Sequence, residues 1–375
     1  MIIYIFIYYK YKNMFNIILV IIIFIYAIFY VVNIILQKKN VEKFDNNNIN
    51  MNNLFTYCIN NTEENNVYYY IQKKNVGNAL MTLAITNNNK ILSYSNEYLS
   101  LIKTYYPSDV YNKIVDMYKY IVNNLKNNVV MNENVLSFIT TFSTGTAHGY
   151  AGLFYIINEY LKDYEKYKDY KIIVYKNSQN GILDIINYFK NMNVIKNDII
   201  YIDSDIIYKF NKYLIIPNKH HAIDPPYGLE ISKMIEKYLI KPNFNIIHKR
   251  VAVIKSSLSS NLTNSGIIDI NNINNFCSKN NLIFIEPINY NEIDFINILY
   301  NCNLFVVSWG TAFFKNYYYI SDKCTKIIVL VIGNDFIKQY NDTINANNLI
   351  TKFKNANMEY IIIDNSNDID NIIIS

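Results

Sequence analysis

The chain of 375 residues is almost free of arginine: Arg250 is the only one, and the other basic residues are lysines scattered along the sequence. A nucleic-acid-binding patch favours clustered Arg and Lys, because the guanidinium group reaches phosphates with two hydrogen bonds. The composition therefore argues against nucleic acid as a partner. Only 17% of residues are charged and the net charge is +5, whereas 51% are hydrophobic. This balance excludes a disordered polymer and provides enough apolar residues for a core.

Cysteines are also few, and they show neither CxxC spacing nor grouping with histidine, so the pattern does not predict a zinc site. Three of the four lie in one half of the chain, which leaves a disulfide open in an oxidising compartment. Buried thiols are the favoured interpretation. The four residues are Cys58, Cys277, Cys302 and Cys324.

No charged residue interrupts residues 14–36, whose centre consists almost entirely of Ile, Val, Phe and Tyr. At about 1.5 Å per residue, a helix of this length crosses a hydrocarbon layer of about 30 Å. The stretch therefore predicts one transmembrane helix. The alternative is a cleaved signal peptide, but the apolar run is longer than the core of such peptides and no small-residue cleavage site follows it. Lysines flank the span on both sides, so charge does not fix its orientation.

The remaining organisation follows from composition and hydrophobic pattern. Residues 1–13 form a short tail, and residues 37–66 are polar and Asn-rich, which predicts a stem. Strand-length apolar runs alternate with helical patterns in residues 67–245 and, more cleanly, in residues 246–375, which predicts two α/β lobes with parallel strands. Strands are expected at Lys171–Tyr175, Asp198–Ile202, Tyr213–Pro217, Arg250–Ile254, Leu282–Ile285, Leu304–Val307, Ile327–Ile332 and Tyr360–Ile363, and helices at Ala151–Leu161 and Gly181–Phe189.

A first candidate site is the segment GTAHGYAG at 145–152, which leads into a helical pattern. Small residues let a loop approach a ligand closely, and a histidine at the start of a helix is well suited to take a proton near neutral pH. His148 is therefore a candidate general base. The other interpretation, a tight turn in which His148 caps the helix, stays open.

A second candidate site is the segment VVSWGTAFFKN at 306–316, directly after a buried-strand pattern. Small and hydroxyl residues that open a helix present free N–H groups to a phosphate, and ligands bind at the carboxyl ends of parallel strands. Trp309 could stack on a base or sugar, or fill core volume. Lys255, which ends the strand in RVAVIKSS, could neutralise a diphosphate at the same edge or be solvated in a loop.

The order of these segments resembles the catalytic domain of glycosyltransferase family 61 over about residues 135–335. The segment GTAH before a helix is similar to the first motif of that family. The strand RVAVIKSS followed by a turn with Glu286, Pro287 and Glu292 is similar to the second, and WGTA followed by Lys315 and Asn316 to the third. Many members have two arginines where this chain has a lysine.

The resemblance implies a GT-B-like architecture, in which two Rossmann-type lobes face each other across a cleft. It implies that residues 246–375 hold a nucleotide-sugar and residues 67–245 the acceptor, in an inverting reaction that requires neither a divalent metal nor another cofactor. His148 would be the general base. The residues implied for donor binding are Lys255, Glu292, Trp309, Gly310, Thr311 and Lys315.

The sequence thus predicts a single-pass, membrane-anchored glycosyltransferase acting on a glycan or glycoprotein, with a type II orientation and a luminal catalytic region. One alternative is an inactive membrane-tethered binding or structural protein of the same fold, which the missing arginines favour. Another is a metal-dependent transferase that uses Asp203 and Asp205, because these residues match the Asp-x-Asp signature of such enzymes. His220 and His221 adjoin Asp224 but lack ligand spacing, which indicates an exposed loop.

Overall fold

The computed structural model describes residues 55–57, 62–72, 80–88, 90–93, 107–140, 147–216, 225–256, 267–333, 357–364 and 366–374. Apart from Phe55, they belong to one compact unit, Thr56–Ser375. No helix within these described ranges is long and apolar enough to span a membrane. The transmembrane helix predicted at 14–36 lies outside them, as does most of the predicted stem.

The N-terminal half of this unit contains one mixed sheet of eight strands in the order β1-β4-β3-β2-β8-β5-β6-β7. Strands β8, β5, β6 and β7 run parallel to one another, whereas β2 is antiparallel to β8 and β3 to β2. The bounds are Phe55–Tyr57 (β1), Thr62–Ile71 (β2), Thr82–Ile85 (β3), Ile91–Ser93 (β4), Val129–Ser137 (β5), Lys171–Tyr175 (β6), Ile199–Ile202 (β7) and Ile207–Ile215 (β8).

This sheet is strongly coiled. Strands β7 and β8 are joined by residues 203–206 alone, although β6 and β5 lie between them in the sheet. A register shift between Met131 and Asn134 interrupts the pairing of β5 with β8, as in a β-bulge, which bends a strand. The rings of Tyr69 and Tyr213 stack at 5.3 Å although Tyr69 pairs in register with Tyr208. One sheet face therefore packs largely against itself.

Five helices accompany this sheet within the described residues. They are Pro107–Asn123 (α1), Ala147–Lys162 (α2), Tyr164–Tyr167 (α3), Asn180–Asn191 (α4) and Pro225–Tyr238 (α5). Helix α4 buries its residues at positions 182, 185, 186 and 189, the spacing of an amphipathic helix with one face on a core. Both helices predicted in this half, and the strands predicted at 171–175 and 198–202, are confirmed. Of the strand expected at 213–217, residues 213–215 form the last part of the longer strand β8, and residue 217 lies outside the described residues.

The C-terminal half contains a five-stranded, fully parallel sheet in the order β10-β9-β11-β12-β13. Each strand predicted there is present to within one residue, except that β13 begins three residues earlier. The bounds are Arg250–Val253 (β9), Ile283–Phe284 (β10), Leu304–Ser308 (β11), Lys326–Ile332 (β12) and Asn357–Ile363 (β13), with helices Ile270–Lys279 (α6), Glu292–Tyr300 (α7) and Thr311–Asn316 (α8).

Both faces of the parallel sheet are buried. Along β12, Ile328, Leu330 and Ile332 face a cluster that contains α6, whereas the alternate residues face α7 and α8. This explains the continuous apolar runs, because strands covered on two faces have no polar side. The fold is therefore α/β with one mixed and one parallel sheet.

A single hydrophobic cluster lies between the two sheets. It contains side chains of α2, α4 and α5 from the N-terminal half, of α7 and α8 from the C-terminal half, and of the inner faces of both sheets. The buried amide of Asn297 in α7 also donates to Leu239 O and accepts from Lys241 N, directly after α5. The two lobes thus share one core.

Candidate functional site

The parallel sheet has a topological switch point at the carboxyl ends of β9 and β11. Strand β9 leads through α6 to β10, which lies on one side of β9 in the sheet. Strand β10 then leads through α7 to β11, which lies on the other side of β9. In open parallel sheets this is where a crevice for a ligand forms. Lys255 follows β9 and Ser308 ends β11, and the Lys255 backbone N–H donates to Ser308 Oγ at 3.0 Å. The structure therefore brings Lys255 to the start of the predicted 306–316 segment.

Polar groups occupy this edge of the sheet. Burial lowers the pKa of Lys255, because desolvation disfavours the charged ammonium. The fully buried Ser256 donates from Oγ to Glu286 Oε2 at 2.8 Å, and Glu286 follows β10. Lys255 is half-buried beside the ends of three parallel strands, a position suited to anion binding. A bound anion would compensate for the stabilisation by water that the ammonium loses on burial.

Gly310 and Trp309 form the turn between β11 and α8. Gly310 has φ 101° and ψ −146°, a conformation that only glycine adopts without strain. Trp309 is 3% exposed, and its ring stacks on Phe313 at 5.5 Å and meets Phe314 edge-on at 5.2 Å. The Trp309 ring thus fills core volume, one of the two interpretations that the sequence leaves open. Thr311 begins α8, and its side chain lies outside the described residues.

His148 is the second residue of α2, which follows β5. Its side chain lies outside the described residues, as do Gly145 and Thr146. Two positions further along the helix, Tyr150 is 2% exposed. The first turn of α2 is therefore packed against the interior where Tyr150 enters it.

Glu292 and Lys315, both predicted from the sequence as donor-binding residues, contact each other. Lys315 Nζ lies 2.8 Å from Glu292 Oε2, and the two side chains are only 13% and 8% exposed. Glu292 opens α7, where Asn291 Oδ1 accepts from Asp294 N at 2.9 Å as an N-cap, and acidic residues favour a helix start. The ion pair is thus buried and fixed at the beginning of a helix.

Tyr150 completes this arrangement from the N-terminal half. Its hydroxyl donates to Glu292 Oε2 at 3.3 Å, and the Lys315 ammonium lies 4.1 Å from the centroid of its ring. Burial, followed by the negative charge of Glu292, raises the pKa of Tyr150 well above its ordinary value of 10.0. The phenol is therefore a hydrogen-bond donor at neutral pH, and the lysine binds its aromatic face as a cation.

The start of α4 packs against the same groups. Asp184 Oδ2 accepts from the backbone N–H of Glu292 at 3.1 Å. A Cβ atom at Gly181 would lie 2.2 Å from the Tyr150 hydroxyl and 2.4 Å from Glu292 Oε2. Position 181 must therefore lack a side chain in this arrangement. Tyr150, Gly181, Asp184, Glu292 and Lys315 are called the interlobe cluster below.

The environment of Glu292 is not fully satisfied. Its Oε1 and the hydroxyl of Tyr319 are both buried, and neither makes a hydrogen bond of good geometry within the described residues, although Glu292 and the Tyr319 hydroxyl interact. Burial, followed by the charge of Glu292, raises the pKa of Tyr319 well above 10.0. The Tyr319 phenol therefore lies close enough to sense the carboxylate and stays protonated beside it.

Sequence reasoning misses three residues of the interlobe cluster, Tyr150, Gly181 and Asp184. Tyr150 lies within the GTAHGYAG segment, but one tyrosine among 37 carries no signal. Gly181 does carry one: the chain has only 9 glycines, and this one stands inside the first turn of a helix, where glycine is unfavourable. Asp184 is a further acidic residue on the same helix with no distinguishing pattern.

The other sequence candidates lie elsewhere. Asp205, with φ 60°, accepts from the Tyr70 hydroxyl at 3.1 Å, and Asp203 pairs with Lys176 at 3.4 Å on the surface. Among the described residues, no group of three or more His, Cys, Asp or Glu side chains is placed to hold a metal ion. His220, His221 and Asp224 lie outside the described residues, as does Cys58, whereas Cys277, Cys302 and Cys324 are buried thiols.

A comparison of the sequence with models of known protein families finds no match. A comparison with curated proteins finds no matching sequence either. The resemblance to glycosyltransferase family 61 is therefore carried by the motifs alone and stays a hypothesis.

Proposed function

We propose that the chain is a membrane-anchored, inverting glycosyltransferase that moves a sugar from a nucleotide-sugar to a hydroxyl of a glycan or glycoprotein. One observation carries the proposal. Helices α2 and α4 follow the carboxyl ends of parallel strands in the N-terminal half, and α7 and α8 follow those in the C-terminal half. Helices α2, α4 and α7 begin at the interlobe cluster, and α8 reaches it with Lys315 in its last turn. A two-lobed transferase of the GT-B type needs this meeting of carboxyl edges, because donor and acceptor come from opposite lobes.

The donor is assigned to the switch point between β9 and β11. A diphosphate there would be neutralised by Lys255 and would approach the peptide groups of Gly310 and Thr311; Gly310 is buried, but it has no Cβ between its backbone and a phosphate. Burial of Lys255 strengthens this interaction, because charges attract more strongly away from bulk water.

The reaction follows from this assignment. His148 takes the proton of the acceptor hydroxyl while the oxygen forms a bond to the anomeric carbon. The bond from that carbon to the diphosphate breaks, and its electron pair leaves with the nucleoside diphosphate, whose added charge Lys255 stabilises. Attack from the side opposite to the leaving group inverts the configuration. No divalent metal or other cofactor enters this scheme. The predicted span at 14–36 would anchor the enzyme, and we assign it a type II orientation with a luminal catalytic region from the order of span, stem and catalytic region rather than from the flanking charges.

A second candidate is a membrane-tethered binding or structural protein that has this fold without activity. It is favoured by the burial of Trp309 and by the pairing of Lys315 with Glu292, because both reduce the number of side chains open to a donor.

The test uses the full chain purified in detergent micelles. Uridine, guanosine and cytidine phosphates are titrated by calorimetry, and donor hydrolysis is then screened across nucleotide-sugars with and without a chelator. His148→Ala should abolish turnover while nucleotide affinity is retained, and His248→Ala is the matched control. Nucleotide binding without turnover would support the second candidate, and loss of activity with the chelator would favour the metal-dependent alternative with Asp203 and Asp205.

A further inference from the structure

The Lys315 ammonium is already engaged in two buried contacts. It lies 2.8 Å from Glu292 Oε2 and 4.1 Å from the centroid of the Tyr150 ring, and the side chain is 13% exposed. A ligand that took Lys315 as its cation would leave Glu292 buried without its counter-ion. Separating a buried ion pair in this way is among the most unfavourable changes in a protein interior. Lys315 is therefore poorly placed to bind a diphosphate.

Three contacts of the interlobe cluster join one lobe to the other, whereas the Lys315–Glu292 pair lies within the C-terminal lobe. Tyr150 of α2 contacts Glu292 of α7 and Lys315 of α8, and Asp184 of α4 contacts the backbone of Glu292. None of them needs a ligand to form. Because polar contacts are directional, they fix the rotation and height of the first turn of α2, which apolar packing alone specifies less sharply.

We infer that Glu292 and Lys315 are positioning residues that hold the first turn of α2, and with it the backbone of His148, against the C-terminal lobe without contacting the donor. The link to His148 rests on the proposed function. The positioning itself is a property of the fold and can be measured without any ligand. Lys255 is then the cation of the donor crevice.

A second ion pair that involves helix α7 provides a matched control. Lys241 Nζ pairs with Asp294 Oδ1 at 2.7 Å, about the length of the Lys315–Glu292 pair, but these side chains are 38% and 31% exposed. Lys241→Met thus removes an ion pair of α7 outside the interlobe cluster. Lys315→Met removes the cation within it and keeps an apolar stem of similar length.

The first measurement is hydrogen exchange by mass spectrometry on the full chain in micelles. Lys315→Met should raise exchange at least tenfold in peptides covering residues 147–155 and 180–186, which are distant in sequence from the substitution, whereas Lys241→Met should leave both unchanged. If Lys315→Met does not fold, Tyr150→Phe is measured instead and should raise exchange at 292–296. Changes confined to the neighbourhood of the substituted residue, or equal changes in Lys241→Met, would overturn the inference.

The second measurement uses uridine diphosphate as the probe. Lys315→Met should keep its dissociation constant within twofold of wild type, whereas Lys255→Met should raise it at least tenfold. Equal losses in the two variants would make Lys315 a ligand and refute its positioning role. If the wild-type chain binds no nucleotide, the proposed function fails, and the exchange measurement still decides the role of Glu292 and Lys315.

Discussion

Replacing Gly181 with alanine sets two physical effects against each other. Glycine inside a helix is less stable than alanine by about 0.5–1 kcal/mol, so helix propensity alone predicts a gain. The added methyl group, however, would lie 2.2 Å from the Tyr150 hydroxyl and 2.4 Å from Glu292 Oε2. Non-bonded heavy atoms prefer about 3.5 Å, so these oxygens would have to move by more than about 1 Å.

Neither oxygen can move freely. Tyr150 is buried beneath the Lys315 ammonium, and Glu292 Oε2 is bound to Lys315 and to the Tyr150 hydroxyl. Overpacking costs about 1–3 kcal/mol. Separating the hydroxyl from the carboxylate leaves a buried polar group unpaired, at about 1–3 kcal/mol more. After subtraction of the helix gain, we expect Gly181→Ala to lower the free energy of unfolding by about 1–5 kcal/mol.

Thermal denaturation of the full chain, followed by circular dichroism, measures this loss. At about 2 °C per kcal/mol for a unit of this size, the midpoint should fall by about 2–10 °C. Asn180→Ala, at the exposed neighbouring position, is the control and should stay within about 0.5 kcal/mol of wild type.

A double-mutant cycle identifies the cause. Tyr150→Phe removes the atom nearest to the added methyl group, so Gly181→Ala should cost at least about 1 kcal/mol less in that background. The reasoning is refuted if Gly181→Ala is as stable as wild type or if the two substitutions are additive.

Three further predictions concern buried side chains. Trp309, the only tryptophan, should emit at short wavelength and resist quenching by iodide in the native protein because it is 3% exposed; ready quenching would contradict its place in the core. Burial raises the pKa of Cys277 to about 12. A disulfide reagent at pH 8 should therefore leave the Cys277 peptide unlabelled until urea unfolds the chain. Rapid labelling of Cys277 in the native protein would disagree with this structure. The raised pKa values of Tyr150 and Tyr319 contribute stability that is fully present below pH 10.0 and is lost as pH rises through their folded-state values. The urea concentration at the unfolding midpoint should therefore decrease as the pH is raised from 10 to 11.5. In Tyr150→Phe this midpoint should decrease less steeply with pH, and identical slopes would exclude a contribution from Tyr150.

The strands of the C-terminal half can be predicted from the sequence because both faces of that sheet are covered. Each strand is then a short, uninterrupted apolar run between helical patterns, as in KIIVLVI of β12. The N-terminal half gives weaker signals. Strand β2 begins with the polar residues TEENN, which lie within the predicted stem, and one of them, Glu63, pairs with Lys212 of β8 at 3.0 Å. Cross-strand partners of this kind stabilise a strand without producing a hydrophobic pattern.

The candidate site could be predicted only in part. The sequence indicates Lys255 by its place at the end of a strand, whereas Glu292 and Lys315 are indicated only by the resemblance to a known family. It cannot show that Glu292 and Lys315 neutralise each other, or that Tyr150 joins them, since Tyr150 and Glu292 lie 142 residues apart. Trp309 shows the same limit: its ring suits a ligand and a core equally, and only its neighbours decide.

The hydrophobic cluster between the two sheets has a consequence for how this chain can be divided. Residues 246–375 expressed alone would expose apolar side chains of α7 and α8 to water, because helices α2, α4 and α5, which share their hydrophobic cluster, come from the other half of the sequence. Such a fragment should aggregate rather than fold. Neither half is then an exchangeable module, and the two halves of this sequence have to be inherited and folded together.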